Sequence, residues 1–135
     1  MTIRIVSIAA LAAPAVLIGA TAQAQQAKLD VPIVVGGTQL DACGSIAVVK
    51  RLDPAGDNFL SVRSGPGAGY REIDRLKTKD NVIICGEKGV WFAAIYPWSN
   101  KSDCKVGTPW PKRAPYTGPC KSGWIHSKFV EIIAG

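Results

Sequence analysis

Apolar residues along this chain fall in short runs, and each run is closed by turn formers before it could complete a helix face. Ser45 to Val49 (SIAVV) is a strand candidate, ended by the turn sequence Asp53-Pro54-Ala55-Gly56-Asp57. Phe59 to Arg63 (FLSVR) alternates, so Leu60 and Val62 share a face, Val62 points to a core and Arg63 to the outside. Ser64-Gly65-Pro66-Gly67 turns the chain again. Val82 to Cys85 is a short apolar strand, Glu87-Lys88-Gly89 a hairpin turn, and Val90 to Tyr96 (VWFAAIY) the next strand, stopped by Pro97. Gly123-Trp124-Ile125-His126 opens a last strand and Phe129 to Ile133 closes the domain. Residues 25–42 are weakly patterned around Ile33-Val34-Val35 and read as an arm, a linker or an edge strand. Short strands with turns about every ten residues predict an all-β domain, a small barrel or sandwich.

The first 24 residues obey a different rule. Arg4 precedes an uncharged apolar run from Ile5 to Gly19, and Thr21-Ala22-Gln23-Ala24 sets small residues at the −3 and −1 positions of a cut before Gln25. That is the layout of a cleaved signal peptide. The run contains Pro14 and falls short of the roughly 20 residues a spanning helix needs. No stable membrane anchor is expected, and the first cysteine, Cys43, lies too far on for lipid attachment at the cut. The expected location is the periplasm or the medium.

Removing the leader takes 24 of 135 residues and leaves 111, enough for one domain. Of 16 Lys and Arg only Arg4 is lost, so 15 cations face 10 acids, a net +5. Between Pro97 and Gly123, Lys101, Lys105, Lys112, Arg113 and Lys121 face Asp103 alone, a net +4. Export argues against nucleic acid as partner, and the basic segment suits an anionic envelope component or an acidic protein. Solubility of a solvated loop is the plainer use.

Four cysteines, Cys43, Cys85, Cys104 and Cys120, suit an oxidising compartment. They allow three pairings. Cys104–Cys120 would close a Pro- and Gly-rich loop with little core of its own, and Cys43–Cys85 would tie the N-terminal arm to a mid-domain strand. On loop entropy these two bridges are worth roughly 3 and 4 kcal/mol. No metal site is expected, because there is no C-x-x-C pair and only one His.

Gly65 to Gly69 follows a strand and precedes Tyr70 to Leu76, which could pass for a helix, so the layout suggests a phosphate-cradling loop. No Gly-Lys-Ser/Thr follows and the G-x-G-x-x-G spacing is not met. The glycines are better read as turn residues. No catalytic residue or cofactor is expected. Glu72, Glu87 and Glu131 are the only glutamates and lack a recognisable partner for glycosidase chemistry, while Ser61, Ser64 and Ser127 lack a nucleophile elbow. His126, the only histidine, shares a face with Trp124 by alternation.

At Asn58 to Gly67 the chain resembles the L-x-V-R-S-G-P-G motif of bacterial SH3 (SH3b) domains, on Val62, Arg63, Gly65, Pro66 and Gly67. Tyr70 to Leu76 and Asp80 to Cys85 keep the family's order. Gly89-Val90-Trp91-Phe92 is similar to its G-x-W-x-x-V strand, and Gly123-Trp124-Ile125-His126 to its G-W-V-H/A segment. The resemblance covers about residues 45–133 and implies a small, partly open SH3-like β-barrel of five to seven strands, assigned to residues 43–135. It further implies a binding module for cell-wall peptide or glycan, and with the residue inventory above the expected protein is a non-enzymatic monomer. Docking or regulating an envelope protein is the alternative, and cell-wall hydrolysis the more distant one.

Trp91 and Trp124 are expected to pack on or into the barrel. Residues 97–122 depart from the family as a Pro-rich basic insertion. Tyr96, Trp98, Trp110 and Tyr116 interleave there with Lys112 and Arg113, a candidate surface for sugar or peptide. The competing use of these aromatics and of five prolines (97, 109, 111, 115, 119) is to fold the loop over the barrel's open end. Intact-mass measurement of the exported protein should give a chain beginning at Gln25. A mass retaining residues 1–24 would exclude the leader.

Overall fold

The computed structural model describes residues 7–17, 19, 27–97 and 103–135. The expected cleavage site, and Trp98 and Lys101 of the expected basic aromatic segment, lie outside these residues. Residues 7–17 form no regular element, and Leu11 and Leu17 are almost fully exposed. Both apolar cores are built from Leu29 onward. No helix among the described residues is long and apolar enough to cross a membrane.

The elements that follow are strands and one 3-10 turn. They are β1 (Val34–Val35), β2 (Ser45–Val49), β3 (Leu60–Arg63), β4 (Glu72–Leu76), β5 (Asn81–Lys88), β6 (Trp91–Tyr96), β7 (Ala114–Pro115) and β8 (Lys121–His126). The 3-10 turn (Ser127–Phe129) leads into β9 (Val130–Ala134). Seven strands form one antiparallel sheet in the order β4-β3-β8-β6-β5-β2-β9, while β1 and β7 pair separately. The outer strands β4 and β9 do not pair with each other, so the sheet is open.

Alternation sets the faces. In β3, Leu60 and Val62 turn inward and Ser61 and Arg63 outward, as the pattern predicts. β6 differs because it is apolar on both sides. Phe92, Ala94 and Tyr96 join an inner core with Val49, Val62, Leu76, Val82 and Ile125. Ala93 and Ile95 face the other way, with Trp124 of β8, and build a second core with Ile33, Val35 and Val106. A sheet with two apolar faces needs two covers.

The second cover is made from the N-terminal arm and the Pro-rich loop, zipped together. β1 pairs with β7. Backbone N–H groups of Gly37, Ala42 and Cys43 donate to the carbonyls of Trp110, Thr108 and Val106, and Tyr116 N–H donates to Ile33. The arm's near end docks on the motif turn: Asp30 and Val31 N–H both donate to Ser64 O, and the buried Ser64 hydroxyl donates to the Asp30 carboxylate. Trp124 Nε1 donates to Val31 O at 2.9 Å. The described part of the loop therefore lies against the outer face of β6 and β8 rather than over an open end.

Both favoured disulfides are present, Cys43–Cys85 holding the arm to β5 and Cys104–Cys120 closing the loop. The register of β5 on β6 shifts between Ile84 and Gly86. This bulge falls at Cys85, which packs beside Ile83 against the second core. Glu72–Leu76, which could have passed for a helix, is a strand paired along β3. One local expectation is corrected: β5 runs on to Lys88, which moves the hairpin turn to Gly89 and Val90.

β3 crosses β8 at Gly123, where an added Cβ would stand 2.2 Å from Val62 Cγ1 and 3.2 Å from Arg63 O. Gly123→Ala should destabilise the fold by about 1–3 kcal/mol through overpacking. Urea unfolding of the disulfide-intact protein checks this, and an unchanged midpoint would contradict the tight crossing.

Candidate functional site

β8 meets β3 at one ladder pair, Arg63 with Trp124, and beyond it the two strands diverge. A groove of about 690 Å³ borders this divergence. One wall is the chain from Arg51 to Ser61, and the other is His126, Lys128 and Phe129 at the end of β8 and in the 3-10 turn. Trp91, Arg63, Ala68 and Glu72 complete it.

The groove's aromatic side is a chain of edge-on rings. Trp91 and His126 stand 5.3 Å apart at 66°, and His126 and Phe129 5.9 Å apart at 65°. Trp91 also packs against the second core, so this ring row joins the outer cover to the groove. On the opposite wall the Arg75 guanidinium sits 3.9 Å over the Phe59 ring. Arg75 Nε donates to Glu72 Oε1 at 2.6 Å, and the Ser61 hydroxyl donates to Glu72 Oε2. The Ser61 and then the Arg75 hydrogen bond hold the Glu72 carboxyl below its ordinary range. Arg51, Arg63 and Lys128 bring positive charge to the lining, and Asp53, Asp57 and Glu72 negative charge. His126 Nδ1 accepts from Lys128 N–H, and Ser61 points its proton at Glu72, so these two polar groups orient the walls.

Of the described residues expected from sequence to form a binding surface, Tyr96 is set apart, while Trp110, Lys112, Arg113 and Tyr116 lie together. Tyr96 is 4 % exposed, in the inner core, and its hydroxyl donates to Asp74 Oδ2 at 3.0 Å. Burial and then the Asp74 charge push the Tyr96 phenol well above its usual range. Trp110 and Tyr116 do come together, with ring centroids 5.8 Å apart at 26°, but they stack against the second core. Trp110 Nε1 donates to Lys105 O at 2.7 Å. Tyr116 donates to Cys104 O at 2.7 Å and accepts from Cys120 N–H, and burial raises its phenol pKa. Lys112 and Arg113 are exposed beside this pair.

The motif residues take structural places. Val62 is fully buried, Arg63 donates to Tyr70 O at 3.0 Å, and Gly65 lies under the Tyr70 ring, where a Cβ would stand 2.5 Å from it. The turn of Gly65, Pro66 and Gly67 carries a Gly67 N–H bond to Gly65 O. Trp124 is buried and Trp91 half-buried. Arg51, Phe59, Lys128 and Phe129 line the groove without having been singled out, since they stand in three separate segments with no shared spacing. The usable signal was the pair of aromatics Phe59 and Phe129, each flanking a strand at a turn.

No protein-family model, curated protein or solved structure matches this chain.

On β4, Asp74 Oδ2 also accepts from Lys121 Nζ at 3.1 Å. Burial pushes the Asp74 carboxyl up, but Arg75 N–H, Lys121 and Tyr96 together outweigh it and leave the group below its ordinary 3.8. A lowered folded pKa gives stability that is full above the unfolded value and lost as pH falls through the folded one. Thermal unfolding should therefore move to lower temperature as pH drops below about 4, and Asp74→Asn should show a smaller drop. Equal pH dependence in the two proteins would remove Asp74 from the acid response.

Proposed function

We propose that this chain is an exported, non-enzymatic binding module of the bacterial SH3 type, and that its groove takes cell-wall peptide or glycan. The observation that carries the proposal is the groove where β3 and β8 diverge. It has an aromatic side, charge of both signs, and a volume within the roughly 300–1,000 Å³ of small-ligand clefts. Phe59, Trp91 and Phe129 offer faces for sugar rings or peptide side chains, while Arg63 and Lys128 suit carboxylates. An open sheet whose strands all line one core fits a partly open SH3-like barrel. Export is supported by the two disulfides and by the described residues of the apolar N-terminal run, 7–17 and 19, which pack into neither core.

The site thereby moves from the loop to the groove, and variants separate the two. Purified protein should co-sediment with isolated sacculi at low salt. Phe59→Ala and Lys128→Glu should each lower retention by about tenfold, as anchor residues do. The double variant Lys112→Glu, Arg113→Glu should bind like the parent. Loss of binding in that double variant, with the groove variants unaffected, would return the site to the loop. Parent protein left in the supernatant would defeat the cell-wall reading.

A further inference from the structure

Arg51 follows β2 with a left-handed backbone, φ 61°. That region is unfavourable for a residue with a Cβ, and such conformations persist where the surroundings over-determine them. The surroundings are visible here. Arg51 Nε donates to Lys128 O at 2.8 Å and a terminal nitrogen, Nη2, to Val130 O at 2.6 Å. Between these two, Lys50 N–H donates to Phe129 O at 2.8 Å. Three consecutive carbonyls, 128 to 130, are thus held by two consecutive residues. Glu131 steadies the group, with Oε2 3.8 Å from Arg51 Nη1 and 3.0 Å from Lys50 Nζ.

The position matters because the groove's two walls meet at this residue. Arg51 begins the wall that continues through Leu52, Asp53 and Phe59, and it is hydrogen-bonded to the turn that carries Lys128 and Phe129. The side chain itself is about half exposed, so it contributes little to the core. Its contacts are directional, to backbone carbonyls of the opposite wall.

We infer that Arg51 is a positioning residue of the groove, fixing the separation of its walls before any ligand arrives. Lysine keeps the charge but cannot reproduce a forked pair of N–H donors. The effect on binding rests on the groove being the site proposed above, whereas the ordering of the 3-10 turn does not.

The test is amide hydrogen exchange by NMR on disulfide-intact Arg51→Lys and Arg51→Ala, with sacculi co-sedimentation in parallel. The amides of Ser127, Lys128 and Val130 should exchange about tenfold faster in both variants, with those of Ile83, Ala94 and Ile125 unchanged. Retention on sacculi should fall by about tenfold even in Arg51→Lys. Parent-like exchange at the 3-10 turn in Arg51→Lys would overturn the inference. So would a uniform rise across the sheet, which marks general stability, or undiminished retention in both variants. If the parent does not bind sacculi, the cell-wall proposal falls alone and the exchange pattern still decides the role of Arg51.

Discussion

β6 is apolar on both faces, and the rest of the structure is arranged around that fact. Six residues, Trp91 to Tyr96, send Phe92, Ala94 and Tyr96 into one core and Ala93 and Ile95 into another. The inner face is covered by the sheet's own remaining strands. Among the described residues no helix covers the outer face, and two segments with little regular structure lie on it, the arm before β2 and the loop before β8. Such segments lose much conformational entropy for the small area they bury. Two disulfides and a set of cross-segment backbone hydrogen bonds hold them down.

This arrangement commits two of the loop's described aromatics to the second core. Trp110 and Tyr116 have their polar atoms committed to Lys105, Cys104 and Cys120, and their rings to the second core. The groove instead forms where the sheet parts. Trp91 connects the two regions, touching the outer cover on one side and the His126 ring on the other. Packing of the arm and the shape of the groove are therefore physically joined through one indole.

Much of the sheet was legible because alternation and turn residues act locally. β2 is SIAVV as read, β3 shows its expected inward pair, and β6 ends at Pro97. Of the three pairings the sequence left open, the structure has the one that closes the core-poor loop and ties the arm to a strand. β4 was missed because the two apolar residues of Glu72-Ile73-Asp74-Arg75-Leu76, Ile73 and Leu76, do not alternate at the period of two, and the segment draws its strand character from pairing with β3. β7 was missed because two residues, Ala114 and Pro115, carry no pattern of their own and pair with an arm some eighty positions earlier. The groove was invisible for the same reason: Phe59, Trp91 and Phe129 meet only once the sheet has folded.

The order of the cysteines along the chain has a consequence for assembly. Each bridge joins neighbours in sequence, the first with the second and the third with the fourth. In a chain threaded out N-terminus first, Cys43 and Cys85 both emerge before Cys104, so the earlier bridge can close while no competing thiol is present. The arm is then already tethered to β5 when the loop that must zip onto it arrives. In a chain exported that way, closing the first bridge before Cys104 emerges would keep Cys43 and Cys85 out of the two other pairings.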